Sequence, residues 1–265
     1  MKLIIGEKHP NHAGDTSREL FSMWEESKFC DTERNDSTHH CWVNEIGNIL
    51  LYEYPRLDSH PGIPDKWEYG LFGNTQYKSP KSKSWIFWAR RPRLMEQTIT
   101  NGLPKYNDRH IQSIFLGKIE NSIQYGNRND KSWDMHIEKF SMPIDAGGTS
   151  KWPYTQQEYL DLLSQSKFGL CLAGFGPKCN REVEYLGLGV VPIVTPNVDL
   201  SYYNPLKEGE HYIKVSQPRD IPEVINTISK SQWEDMSAAG QQWYNINCSR
   251  VGSFKTTMEI ISDWL

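Results

Sequence analysis

The chain has no long run of one charge, no paired cysteines and no hydrophobic stretch of membrane length, and each absence removes a class of protein. Its 265 residues hold 29 Lys and Arg against 33 Asp and Glu, a formal net charge of -4. No block of like charge exceeds a few residues, which argues against nucleic acid as the main partner. The five cysteines, at positions 30, 41, 171, 179 and 248, form no C-x-x-C pair. An odd number so widely spaced fits reduced thiols in a cytosol-like compartment better than a disulfide framework. The opening MKLIIGEKHP carries an apolar run too short for a signal peptide. Nothing approaches the roughly 20 consecutive apolar residues of a membrane helix. The expectation is a soluble, cytoplasmic protein with no membrane and no nucleic-acid partner.

Several catalytic signatures are missing as well. The glycine turn AGFGPKC is neither a Walker A motif nor a full G-x-G-x-x-G, and the chain has no G-x-S-x-G elbow and no H-E-x-x-H pair. His39, His40 and Cys41 are adjacent, and adjacent positions rarely supply a metal site without distant ligands, so no metal is expected. Internal repeats and low-complexity tracts are also absent. Aromatics are plentiful: Trp 10, Tyr 13 and Phe 9 within a hydrophobic fraction of 37%. Such a chain can bury a substantial core.

Hydrophobic patterning supplies the architecture. KLIIG at the start, NILLYEYP and SWIFWARRPR read as strands of a first half with long loops, and SRELFSMWEES reads as a helix with Leu20, Phe21 and Trp24 on one face. The second half alternates more cleanly. QSIFLG, FGLCLAG, VVPIV and HYIKV are strands. TQQEYLDLLSQS is a helix with a Thr155/Glu158 capping box and Tyr159, Leu162 and Leu163 inward. REVEYLGL is a helix stopped by Gly189, and a further helix runs from Ile221 to Lys230 before the closing SFKTTMEIISDWL. Strands alternating with helices mean βαβ units and parallel sheets. The expected fold class is α/β, with two α/β lobes and a cleft between them. Residues 1–105 form the amino-terminal lobe and 106–265 the carboxyl-terminal lobe, with the last helix able to pack back on the first.

In open α/β sheets ligands sit beyond the carboxyl ends of strands. Two loops there carry suitable chemistry. In GKIENSIQYGNRN, Gly117 ends a strand and Lys118 and Arg128 flank the loop; two cations suit a diphosphate, although taken alone a solvated loop with ordinary surface charges is the plainer reading. In LAGFGPKCNREVE, Gly174, Phe175 and Gly176 lead to Lys178 and to a helix amino end at Asn180, and such an end attracts phosphate. Arg181 and Glu184 lie one turn apart on that helix. They are either an ordinary ion pair or a phosphate ligand beside a ribose ligand. Acid and base candidates cluster in two loops of the first half: Glu7, His9, His12 and Asp15, then Glu53, Asp58 and His60.

Two segments together resemble the exostosin family of glycosyltransferases. That family has an F-x-G-K strand end, then an Arg-Asn pair, then a C-L strand, R-x-x-E-A-L and a V-P-V strand. Phe115, Gly117, Lys118, Arg128 and Asn129 match the first part, and Cys171, Leu172, Arg181, Glu184, Leu186, Val191 and Pro192 match the second. The matched residues lie between Phe115 and Pro192 of the 265. The sequence departs from the pattern where the family's P-R-G is AGFGP, with Lys178 a substitute cation, and where E-A-L is EYL. The chain is most similar to the compact exostosin-like transferases of large algal viruses (chloroviruses), which decorate capsid glycans.

The resemblance implies a GT-B architecture, a nucleotide sugar on the carboxyl-terminal lobe, an oligosaccharide acceptor mainly on the amino-terminal lobe, and inversion without an essential metal or other cofactor. The chain has no Asp-x-Asp pair to hold a divalent ion, so Lys, Arg and helix amino ends would neutralise the diphosphate. It further implies a UDP-sugar donor, with UDP-xylose the best guess, and a capsid-glycan fucose as acceptor. Under this reading Gly117, Lys118, Arg128, Gly174, Phe175, Gly176, Lys178, Asn180, Arg181 and Glu184 bind the nucleotide sugar. Tyr154 or Phe175 stacks on uracil, and Trp67, Tyr69 and Trp88 are acceptor-stacking or core residues. The catalytic base is His12 or Asp15, with Glu53 and Asp58 as rivals. Two other classes stay open: a transferase-derived protein that binds a UDP-sugar or glycan without turnover, and a structural virion protein.

Overall fold

The computed structural model describes residues 1–6, 15–38, 40–44, 47–52, 67–73, 80–86, 88–144 and 152–264. The chain divides into two compact units: Met1–Arg93 with Ser201–Pro205 and Asn245–Leu265, and Leu94–Leu200 with Leu206–Tyr244.

In the first unit β1 (Lys2–Gly6) buries the apolar run Leu3, Ile4 and Ile5, and α1 (Asp15–Glu26) turns Leu20, Phe21, Met23 and Trp24 inward. β2 (Asp31–Asn35) runs parallel to β1, with Lys2 opposite Asp31. β3 (Cys41–Asn44) is antiparallel both to β1 and to β4 (Asn48–Tyr52), while β5 (Tyr69–Phe72) and β6 (Ser82–Ser84) continue in parallel beyond β4. The sheet order is β2-β1-β3-β4-β5-β6. The sheet is therefore mixed, with β3 reversed among parallel neighbours.

One sequence expectation fails here. SWIFWARRPR does not continue as a strand past Ser84; Trp85 N–H still donates to the Phe72 carbonyl of β5 at 2.9 Å, Trp85, Ile86, Trp88 and Ala89 are buried outside the strand, and α2 (Pro92–Thr100) begins at a proline. Strand preference of large side chains reflects packing on a half-buried surface. These indoles find that packing against one another, Trp85 and Trp88 meeting edge to face at 4.6 Å.

The second unit holds β7 (Ile111–Leu116), α3 (Ser122–Arg128), β8 (Lys139–Ser141), α4 (Gln156–Ser164), β9 (Ser166–Cys171), α5 (Asn180–Gly187), β10 (Val191–Val194), β11 (Ile213–Lys214), α6 (Ile221–Thr227) and α7 (Lys230–Asn247). Its sheet is all parallel, in the order β11-β10-β9-β7-β8. Alternation along β9 sorts the two faces. Phe168, Leu170 and Leu172 join Phe115, Trp133, Val191, Ile193, Trp233 and Met236 in one core. On the other face Tyr185 of α5 lies flat over Gly169, where a Cβ would stand 2.4 Å from the ring, and its hydroxyl points to the carbonyls of Ile114 and Leu170 at 3.1 and 3.4 Å. The capping box of α4 is present, with Glu158 N–H donating to the Thr155 hydroxyl and Thr155 N–H donating to Glu158. Its inward residues are Tyr159, Leu160 and Leu163, and Leu162 is only half-buried. Gly189 follows α5 at φ +66°, as a left-handed helix stop requires.

The closing helix, α8 (Arg250–Ser262), belongs to the first unit. It presents Ser253 and Thr257, one turn apart, to the buried indole N–H groups of Trp24 (3.0 Å) and Trp85 (2.8 Å). This satisfies two donors that would otherwise be costly to bury. No helix among the described residues is long and apolar enough to cross a membrane.

Candidate functional site

The strand order of the second sheet fixes where a ligand would sit. The chain enters on β7, steps to β8 on one side, then returns to the other side of β7 for β9, β10 and β11. Such a reversal, here at the carboxyl ends of β7 and β9, is the usual ligand position in an open parallel sheet. The loops that leave those two strands, 117–121 and 172–179, are the two singled out by sequence.

Two arginines tie these loops together. Arg128, at the end of α3, donates Nη1 to the Lys118 carbonyl at 2.7 Å and Nε to the Ala173 carbonyl at 2.9 Å, with Nη2 3.9 Å from the Cys179 sulfur. Arg181, in the first turn of α5, places Nε and Nη2 on the Leu116 carbonyl at 3.3 and 3.0 Å. The two guanidiniums share the Phe115 ring, at 4.4 Å for Arg181 and 5.9 Å for Arg128. Both are buried, and among the described residues neither pairs with a carboxylate. Arg181 Nη1 is buried with no hydrogen-bond partner among the described residues.

The glycines follow from these approaches. A Cβ on Gly117 would stand 2.8 Å from Arg181 Nη2, and one on Gly174 would stand 2.8 Å from both Arg128 Nη2 and Cys179 Sγ. Asn127 holds the same turn by donating to the Gly174 carbonyl at 2.9 Å, and Gly174 N–H closes it on the Gly176 carbonyl at 3.0 Å. A side chain at 117 would crowd the Phe115 ring and Arg181, and one at 174 would crowd Arg128 and Cys179.

Burial sets the electrostatics. It pulls the Arg128 pKa down, and repulsion from Arg181 adds to that. It also pulls Lys178 down; Lys178 is almost wholly buried and faces Asp199 at 3.8 Å, which works the other way. Glu182 is buried too, its Oε2 accepting the Cys179 N–H at 2.5 Å. Burial pushes its carboxyl up to about 7 against the pull of Arg181 and of that hydrogen bond. Cys179 is pushed up to about 11 by the same desolvation.

The structure brings Gly117, Arg128, Gly174, Cys179 and Arg181 into one cluster. Lys118 is half-exposed and paired with Glu120. Phe175 is the exposed ring of the second loop, at 38%. Asn180 opens α5, with Gly176 and Lys178 just before it. Glu184 is buried and accepts a hydrogen bond from the Tyr159 hydroxyl at 2.8 Å. Tyr154 is half-buried with its ring edge-on to Trp152.

In the first unit, Trp88 and Trp67 are core residues and Tyr69 stacks on Trp264 at 4.7 Å. Glu7, His9, His12, Glu53, Asp58 and His60 lie outside the described residues, and of Asp15 only its place at the start of α1 is described. No group of three or more His, Cys, Asp and Glu suited to a metal occurs among the described residues.

Sequence reasoning passed over Tyr159, Cys179 and Glu182 as members of the site. Tyr159 carried a signal, its inward position on α4. Glu182 reads as an ordinary first-turn acid, because nothing local reports that it is buried.

Among solved structures, the chain is similar to an α1,3-fucosyltransferase, with a TM-score of 0.51 at 13% identity over 89% of this chain and 80% of that one. It also aligns with HepE of Anabaena, solved in complex with UDP-glucose, with a TM-score of 0.44 at 10% identity over 75% of this chain. The chain spans 65% of the length of HepE. No protein-family model matches it, and no curated protein matches it in sequence. Two α/β units, one with a mixed and one with a parallel sheet, together with the likeness to the fucosyltransferase, give the protein the GT-B fold of glycosyltransferases.

Proposed function

We propose that the protein is an inverting glycosyltransferase that moves a sugar from a UDP-sugar to an oligosaccharide. The observation that carries this reading is the pair Arg128 and Arg181 at the carboxyl ends of β7 and β9. Both guanidiniums are buried, held on main-chain carbonyls and unpaired with any described carboxylate, and Arg181 keeps a spare donor. Buried cations without acids are costly unless main-chain carbonyls take all their donors or an anionic ligand completes them. The diphosphate of a nucleotide sugar has the charge and the oxygen acceptors to do so.

In this reading Arg181, Lys118 and the amino end of α5 stabilise the departing UDP. Arg128 shapes the two loops, and Lys178 adds positive charge beside them. Glu184, oriented by Tyr159, holds the ribose, and Phe175 stacks on the uracil. A base in the first loop, His12 or Asp15, with Glu53 and Asp58 as rivals, removes the acceptor hydroxyl proton. The oxygen attacks the anomeric carbon from the face opposite UDP. The bond from that carbon to the diphosphate breaks, and UDP leaves with the electron pair. The motif match between Phe115 and Pro192 supports an exostosin-type enzyme and, through it, UDP-xylose as donor, a fucose of a viral capsid N-glycan as acceptor, and metal independence.

A thermal-shift screen of UDP, GDP and CMP sugars tests the reading, because a ligand of the folded state raises the melting temperature by mass action. UDP and UDP-xylose are expected to shift it, and UDP release from UDP-xylose with an acceptor glycan is expected to survive EDTA. Stabilisation by UDP with no release from any sugar donor would instead mark a binding protein. No shift with any nucleotide would sink the assignment.

A further inference from the structure

Glu182 sits where a plain helix-capping acid is not enough to explain it. Its Oε2 caps the Cys179 N–H, but Oε1 is buried with no partner among the described residues. The neighbouring Arg181 has Nη1 in the same state, and the two side chains do not pair with each other. The first turn of α5 thus holds, among the described residues, one unmet cationic donor and one unmet carboxyl oxygen, at a helix end whose Cys179 N–H is already taken by Glu182. Orphaned buried polar atoms are rare, and each calls for a partner.

We propose that Glu182 is a ligand-binding residue that takes up a proton when the diphosphate binds, its Oε1–H donating to a phosphate oxygen while Oε2 keeps the Cys179 N–H. The inference rests on reading the site as a diphosphate site. A phosphate oxygen only accepts, so an ionised carboxylate beside it would repel it, whereas a protonated one supplies a donor. The charged and titratable groups around Glu182 are Arg181 and Tyr185 on its own helix, Cys179 at the cap, Arg128 from α3 and Cys171 from β9. Burial pushes both thiols and the Tyr185 hydroxyl up, away from neutrality. Glu182, brought up to about 7, is the member of this set that changes charge near neutral pH. A bound anion raises it further. Above pH 7, UDP binding therefore takes up a proton and weakens as the pH rises, by up to about tenfold per pH unit.

Calorimetric titration of UDP at pH 7.5, in two buffers of different ionisation enthalpy, reads the proton directly. The wild type is expected to take up a proton beyond the amount due to UDP itself. Glu182→Gln, whose amide keeps both the cap acceptor and a donor, is expected to lose that excess and the pH slope. Equal proton uptake in the wild type and Glu182→Gln overturns the proposal. So does absence of excess uptake in the wild type, which needs no variant to fold. If UDP binds without the extra proton, this inference fails alone; if UDP does not bind at all, the diphosphate reading fails with it.

Discussion

Two arginines are buried at opposite ends of the second sheet, and their donors are used differently. Arg109, at the amino ends of the strands, donates Nε to the Pro104 carbonyl at 3.1 Å, Nη1 to Ser166 at 2.8 Å and Nη2 to Leu188 at 2.8 Å. Its guanidinium lies 5.0 Å from the Trp233 ring. All three of its nitrogens meet a carbonyl, and burial lowers its pKa to about 10. Arg181, at the carboxyl ends, spends two nitrogens on the single carbonyl of Leu116 and leaves Nη1 unmet. Both are buried cations without an acid partner among the described residues. A guanidinium whose donors are all used on main chain is a tie within the fold, and one that keeps a donor at the strand ends is the one proposed to meet the diphosphate.

The sharpest way to break the comparison is to remove each arginine in turn. Arg109→Ala strands three carbonyls, two of them in buried hydrogen bonds, and is expected to cost about 3–5 kcal/mol by urea unfolding. The molecules that still fold should bind UDP as the wild type does. Equal loss of UDP affinity in Arg109→Ala and Arg181→Ala would erase the distinction.

Glu182 gives the next largest effect, through pH. The unfolded chain releases this proton near 4.5, while the native protein keeps it to about 7. The native state therefore binds more protons across that window, and stability falls as the pH rises through it. The wild type should lose up to roughly 3 kcal/mol relative to Glu182→Gln between pH 4.5 and 8. Urea midpoints of the two proteins at both pH values check this, and parallel pH curves would contradict it.

Arg181→Ala is expected to weaken UDP binding by about 100-fold, the size of a charge-assisted hydrogen bond to phosphate, while costing less stability than Arg109→Ala. Lys118→Ala should weaken UDP by only about threefold to tenfold and leave the urea midpoint in place, because its partner Glu120 is solvent-accessible.

Much of the second unit was legible in the sequence. β7, β9 and β10 are short apolar runs between turn signals, Thr155 and Glu158 announce a helix start, and Gly189 announces a stop. Other elements carried no such signal. β2 is DTERN, an edge strand with no buried residue, paired with β1 and tied by Arg34 to Glu25 of α1. α7 hides Trp233, Met236, Trp243 and Tyr244 among polar residues, and α3 looked like loop.

The candidate site divides in the same way. Lys118, Arg128, Arg181 and the two glycines follow from residue type and position at strand ends. The tie of Arg128 to Ala173 and the burial of Glu182 arise where separate segments meet, so no local pattern announces them.

A structure of the protein crystallised with UDP tests the central claim most directly. The account predicts a diphosphate oxygen within about 3 Å of Arg181 Nη1, at the carboxyl ends of β7 and β9. UDP bound with its phosphates elsewhere, and Arg181 Nη1 still without a partner, would contradict it.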